Sequence, residues 1–364
     1  MSAAIPNPSR ALVPRTVLAA SKRAIAAPPT IKDIARDLGV AASTVTRALQ
    51  GHPRISEAMR AKVAAAALAM GYVPDSTART MRTKVSRLVG FIAPNVEDND
   101  SAAIACAMAD CCNRAGLQLV LAVSNDDPGQ EAAHIRTLIG ARAAGLIIVP
   151  TASPTDEARM LIRRLPYIQV IRRLAELDSD YIVFDDEHAI REATKHLIDT
   201  GHRRIAYLGS LARLSTGMHR VEGYRKAFKR AGIAVDERYI RTTAPDGMGV
   251  REALHDMLST LAPTAIVAGG SRITVAMLQV IDALKLDVPR DLSVVGFGDH
   301  VWSNWWRDGL TTVCLPIQEL ASAAGSLLVR RVGEAAQGIA AGPARGTRFR
   351  PRLIPRSTTR SLKT

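Results

Sequence analysis

From residue 30 onward the apolar positions fall into two regimes. Over residues 30–70 they recur at helical spacing in three short stretches: Ile31, Ile34, Ala35 and Leu38, then Val45 and Leu49, then Val63, Ala67 and Met70. Thr30-Ile31-Lys32-Asp33 has the capping-box pattern that starts a helix, and Gly39 permits a turn into a second helix over residues 42–49. A third helix runs from a Ser56 cap to Gly71, and its inward residues close a small tri-helical module. Beyond residue 85 short β-rich runs, at 88–93, 117–123, 145–149, 167–171, 182–184, 204–208, 265–268 and 292–297, alternate with helical stretches. Strand, helix, strand at this rhythm predicts parallel sheets covered on both faces. Eight or more such strands divide comfortably into two doubly wound lobes, with a ligand between them at the C-terminal strand ends.

Residues 1–29 are rich in Ala, Pro and Ser without periodicity and read as a disordered basic arm. The predicted division is the arm at 1–29, a helix-turn-helix domain at 30–74, a Ser-, Thr- and Arg-rich linker at 75–84, a two-lobed body at 85–358 and a tail at 359–364.

Charge sharpens this picture. The 48 Lys and Arg exceed the 34 Asp and Glu by 14, and the excess sits at the ends: +4 in residues 1–29, +4 in 30–82 and +7 in 342–364, against −1 for the rest. Basic ends on a neutral body are the footprint of a polyanion binder; for the C-terminal run alone, a solubilising tail is an equal reading. Cys106, Cys111, Cys112 and Cys314 lack metal-ligand spacing, which fits a reducing cytoplasm and implies no metal or cofactor. Pro14 and Arg15 interrupt the N-terminal apolar run, and no stretch is apolar enough to span a bilayer, so the expectation is a soluble cytoplasmic protein with no membrane contact.

On the second helix Ala42, Ser43, Thr44, Thr46 and Arg47 face outward. Small and hydroxyl-bearing residues let a helix sink into a major groove, where Arg47 can bridge guanine O6 and N7. Residues 30–49, TIKDIARDLGVAASTVTRAL, the third helix running into GYVPD, and ARTMR at the end of the linker together resemble the LacI/GalR (lactose-repressor) family. The resemblance implies an all-α helix-turn-helix domain joined to an α/β core of two doubly wound parallel-sheet lobes, like a type I periplasmic binding protein. It places Lys32, Thr46 and Ser56 on phosphates, Ala42 and Ser43 where base preference is set, Arg47 on a guanine, and Thr30 and Thr44 on the same DNA-facing surface. Two departures stand out: Ala41 replaces the usual capping serine, and Asp75 replaces an asparagine. The resemblance further implies that the linker, with Asp75, Ala78, Arg79, Met81 and Arg82, folds only when two copies meet over the centre of a pseudo-palindromic operator. Met81 would then wedge into a base step and Arg79 and Arg82 would face phosphates. An unstructured tether is the alternative.

The strings GHRRIAYLG (201–209), RVEGY (220–224), DLSVVGFG (291–298), LTTV (310–313) and RST (356–358) carry the resemblance through the body. It implies an effector pocket in which Arg220 grips ligand oxygens, Phe184 lines the wall, and Asp100 and Ser101 reach the mouth; an exposed structural arginine is the plainer reading of Arg220. Gly269-Gly270 stand where relatives commonly keep Asn-Asp, Gly298 where an aspartate often stands, and Arg172 where several sugar binders have an aspartate. Acceptors lost and a donor gained predict an anionic effector, such as a sugar acid or phosphate ester. Trp302, Trp305 and Trp306 cluster in a chain poor in aromatics; Trp305 and Trp306 correspond to a loop used for pairing subunits, which predicts a homodimer, with a ligand-stacking platform as the alternative. The expected function is thus a repressor of carbohydrate or sugar-acid metabolism that binds double-stranded operator DNA under control of a small molecule. An enzyme is disfavoured: no phosphate loop, zinc helix motif or nucleophile elbow occurs, and residues 269–273 lack the elbow's second glycine. A solute-binding receptor without DNA function needs an export signal and has no use for residues 30–82.

Overall fold

The structure, a computed structural model, describes residues 28–73, 86–97, 99–340 and 342–363. The chain divides into two compact units, Met1–Lys84 and Val85–Thr364. Most of the expected arm and all of the expected linker lie outside the described residues.

In the first unit α1 (Ile31–Leu38), α2 (Ala42–Leu49) and α3 (Glu57–Ala69) enclose Ile34, Ala35, Val45, Ala48, Val63 and Ala67. Asp33 accepts the Thr30 amide at 2.9 Å, closing one half of the capping box. The Thr30 hydroxyl donates to the same carboxylate at 2.7 Å, holding the Asp33 carboxyl below its usual range. Gly39 ends α1 at φ +64°, a left-handed conformation that glycine adopts without strain. Ser56 caps α3 by accepting the Met59 amide at 3.3 Å. One inward position differs from expectation: Ala48 is buried while Leu49 covers the rim. The small alanine, one turn on from Val45, lets the neighbouring helices approach closely.

The second unit runs β1 (Leu88–Ala93), α4 (Asn99–Arg114), β2 (Gln118–Val123), α5 (Pro128–Gly140), β3 (Gly145–Ile148), α6 (Asp156–Ile162), β4 (Tyr167–Val170), β5 (Asp180–Phe184), α7 (Asp186–Asp199), β6 (Ile205–Ser210), α8 (Ser215–Arg230), β7 (Ile240–Thr243), α9 (Val250–Leu261), β8 (Ala265–Gly269), α10 (Ser271–Ala283), β9 (Ser293–Phe297), β10 (Thr311–Cys314), α11 (Ile317–Ala336), β11 (Gly346–Phe349) and β12 (Arg352–Ile354). Two six-stranded sheets result, ordered β11-β5-β4-β3-β1-β2 and β12-β10-β9-β8-β6-β7. Every pairing is parallel except β10 with β12. Central strands such as Gly145–Ile148 and Ala265–Gly269 are buried throughout, as sheets covered on both faces require. The chain passes between the lobes three times: after β5, after β10, and between β11 and β12.

All eight expected strands form, and β7, β10, β11 and β12 join them. Strands β7 and β11, with sequences IRTT and GTRF, carry too few apolar residues for a pattern; they are edge strands held by backbone pairing to β6 and β5. This corrects the reading of the basic C-terminal run as a tail. Arg345, Arg348 and Arg352 lie in or beside sheet strands, and Arg356 pairs with Asp299 at 2.8 Å. Residues 359–362 are also fastened: the Thr359 hydroxyl meets His196 Nε2 at 2.9 Å, His202 Nε2 meets the Arg360 carbonyl at 3.1 Å, and the Leu362 amide donates to the Thr200 carbonyl at 2.8 Å.

Asp180 ties the returning chain to the first lobe. Its carboxylate accepts Arg331 Nε and Nη2 at 2.6 and 3.0 Å and the Arg345 amide at 2.7 Å, joining β5, α11 and the approach to β11. Burial works against its charge, but these donors outweigh burial and the carboxyl titrates below its ordinary range. Asp180→Ala leaves Arg331 buried without its main partner and is expected to cost about 3 kcal/mol in urea unfolding. Because folding lowers this pKa, the contribution is complete above the ordinary carboxylate range and fades as pH falls through the folded value.

Candidate functional site

The chemistry-bearing residues of the first unit lie on α2 and the helix starts beside it. Lys32, Ala42, Ser43, Arg47 and Ser56 are exposed, as is Thr30; Thr44 and Thr46 are half-buried. Thr46 donates its hydroxyl to the Ala42 carbonyl at 3.0 Å. Among the described residues no carboxylate pairs with Lys32 or Arg47, so both charges are available. Ala41 precedes α2 without a side-chain cap, leaving the first-turn amides of that helix for an outside acceptor. Val45 and Ala48, packed against α1 and α3, fix which face of α2 turns outward. Asp75, Ala78, Arg79, Met81 and Arg82 lie outside the described residues.

In the second unit a cleft opens between the lobes, at the C-terminal ends of both sheets. Phe91, Ile104, Val149 and Phe184 of the first lobe and Phe297 of the second make it largely apolar, with Ser101, Asp100, Arg172 and Arg220 among its polar groups. Arg220 is buried and held on three sides: Nε donates to Asp186 at 2.7 Å, Nη1 to the Gly269 carbonyl at 2.9 Å, and the guanidinium lies 4.1 Å from the Phe297 ring centre. That fixes the plane of the fork and leaves Nη2 without a protein acceptor among the described residues. Burial pushes the Asp186 carboxyl up, and Arg220 works against that. Asn95, at the cleft wall, has a buried side-chain oxygen with no hydrogen-bond partner.

The three departures expected to make the pocket cationic read differently in three dimensions. Arg172 is buried, but both terminal nitrogens face Asp126, one at 3.1 Å, and it also reaches the Pro150 carbonyl at 3.4 Å. Its charge is therefore matched. Gly269 contributes only its carbonyl, to Arg220. A Cβ there would stand 2.3 Å from the Tyr207 hydroxyl, so the side-chain position is filled from below, and it is Gly270 that lines the cleft. At Gly298, φ +88°, a Cβ would stand 2.7 Å from both His300 Nε2 and Ser271 Oγ and 3.2 Å from Asp100 Oδ2. The carboxylate missing from the second lobe is thus supplied by Asp100 of the first. Ser271 donates to Asp100 at 2.5 Å, His300 Nδ1 lies 3.8 Å from it, and Arg272 pairs with Glu97 at 2.6 Å, so side chains bridge the lobes directly.

The tryptophans separate. Trp306 is half-buried against the second-lobe core and donates its indole N–H to Asp282 at 3.3 Å. Trp302 lies beside His300, with ring centres 5.8 Å apart. Trp305, 69 % exposed, stands outward near Val301, 82 % exposed. None of them lines the central cleft. Sequence reasoning missed Asn95, Asp126, Asp186, Ser271, Arg272, Phe297 and His300. Asp126 lies forty-six residues from Arg172, and no spacing rule joins them.

Comparison with known proteins places both units. Residues 30–75 match the model for bacterial regulatory proteins of the lacI family, and residues 194–359 the model for a periplasmic binding protein-like domain. The chain is 31% identical over 300 residues to the HTH-type transcriptional regulator GalR of Escherichia coli K12, covering 82% of this chain and 88% of that protein. It is 30% identical over 307 residues to the ribose operon repressor of the same strain, covering 83% and 93%. The lac repressor dimer bound to operator and the anti-inducer ONPF has the same fold, at TM-score 0.77 and 23% identity over 92% of this chain and 100% of that one. The transcriptional regulator CelR in complex with cellobiose superposes at TM-score 0.67 with 24% identity, over 91% and 99%.

The bridges across the cleft make a direct prediction. Asp100→Ala combined with Arg272→Ala removes three inter-lobe contacts, so the ligand-free protein is expected to show a larger radius of gyration by small-angle X-ray scattering. Its melting point should fall by roughly 2–4 °C for each kcal/mol lost. Unchanged scattering would mean that the backbone crossovers alone set the lobe spacing.

Proposed function

The chain belongs to the LacI family of bacterial regulatory proteins, and from that membership we propose how its two units act as a DNA-binding transcriptional regulator under the control of a small molecule. No described helix is long and apolar enough to cross a membrane. The first unit reads the operator. Helix α2 enters the major groove, with Ser43 and Ala42 against base edges, Arg47 on a guanine, and Lys32, Thr46 and Ser56 on phosphates. The observation that carries this reading is the exposed, unpaired Arg47 on a helix whose inner face is fixed by Val45 and Ala48.

Two copies bind a pseudo-palindromic site, meeting in part through Trp305 and Val301, whose exposed apolar surface suits an interface core. The linker at 75–84 folds between them, with Met81 entering the central base step. The effector changes the spacing of the lobes and so the fit of the two linkers on DNA. Relatives named for galactose and ribose regulation support a carbohydrate effector. We propose a neutral sugar rather than a sugar acid or phosphate ester: Arg172, Arg220 and Arg272 each face a carboxylate, so the cleft holds no surplus positive charge for an anion.

Gel-shift titration against genomic fragments tests the operator reading. Arg47→Ala is expected to weaken binding by about 1–3 kcal/mol and to relax the preference at one base pair. Met81→Gly should abolish tight operator binding while leaving effector affinity unchanged; undiminished operator affinity would remove the wedge from the mechanism.

A further inference from the structure

A second compartment adjoins the cleft. The inner one, around Arg220 and the phenylalanines, has a volume of about 120 Å³. The outer one, about 540 Å³, shares Pro94, Asn95, Pro245 and Arg272 with it and extends outward between the lobes. The two differ in character. The inner walls are mainly aromatic and aliphatic around one fixed guanidinium, whereas the outer walls bring polar side chains from both lobes, Asn125 and Ser153 from the first, Arg213 and Asp246 from the second. With Asp126 and Glu97 on the same walls, donors and acceptors are mixed and neither charge dominates.

Asn95 stands on the shared wall, and its side-chain oxygen is buried without a hydrogen-bond partner. A buried acceptor left unpaired is costly, and a ligand hydroxyl is the natural donor to satisfy it. A single ring confined to the inner compartment would leave the polar outer walls unused. Resting on the neutral-sugar reading of this site, we propose that the effector is a sugar of two linked rings: the first stacked among the inner phenylalanines and held by Arg220, the second in the outer compartment, with hydroxyls at the junction donating to Asn95. Discrimination between a monosaccharide and its glycoside would then reside in loop residues of both lobes, and the second ring would reward lobe closure because both lobes wall it.

Isothermal titration of the full-length protein tests this with glucose, galactose, cellobiose, maltose and lactose as probes. At least one disaccharide is expected to bind tenfold or more tightly than either constituent monosaccharide. Ser153→Trp, an exposed position on the outer wall, should fill the second compartment and remove that advantage while leaving monosaccharide affinity within about twofold. Asn95→Ala should weaken the disaccharide by about tenfold, with the melting point of the ligand-free protein showing that the fold is intact. Monosaccharide binding as tight as any disaccharide, or a disaccharide advantage that survives Ser153→Trp, overturns the second compartment and leaves the sugar reading standing. Failure of every neutral sugar to bind overturns both.

Discussion

A guanidinium withdrawn from water must have its charge answered, and that constraint organises the cleft. Arg220 is buried because it lies against Phe297, and it is tolerable there because Asp186, equally buried, accepts its Nε. Asp186 in turn opens α7, the helix that follows the first crossing between the lobes. One ion pair therefore fixes the ligand-gripping fork, the start of a helix and the point where the chain changes lobes. Arg172 with Asp126 repeats the arrangement on the first lobe, and Arg272 with Glu97 carries it across the gap.

Pairing each cation within the protein also shapes what the cleft can recognise. A ligand meets oriented donors and acceptors with little net field, an environment suited to hydroxyl groups on apolar rings. The aromatic walls supply the contact area, and the fixed fork supplies direction. Movement is possible because the bridges that close the mouth, through Asp100, Ser271, His300 and Arg272, are side-chain contacts with water as a ready substitute partner. The three backbone crossovers, by contrast, keep the lobes as one body, and the buried Asp180–Arg331 pair anchors the last of them.

Much of this was legible in the chain. Helical spacing located all three helices of the first unit, because a small module must turn nearly every apolar side chain inward, and the alternation of buried strands and helices located eight of the twelve strands. What escaped had no apolar signature: β7 and β11 are edge strands whose partners lie far along the chain, so pairing rather than composition makes them strands. The arginines near the C-terminus looked like a solvated run for the same reason. Their carboxylate partners, such as Asp299 for Arg356, are brought to them only by the sheet.

The sequence by itself determined the two classes of unit, the reading face of α2, and the positions of Arg220, Phe184 and Asp100 in a ligand cleft, because periodicity and local motifs depend on neighbours a few residues apart. Only the tertiary structure decided how the cleft is charged. Gly298 looked like a lost acceptor until Asp100 was found in its space, Gly269 until Tyr207 was found beneath it, and Arg172 like a free cation until Asp126 was found against it. Electrostatic balance is a sum over atoms close in space, and in a chain that crosses three times between two lobes, closeness in space has no counterpart in residue spacing.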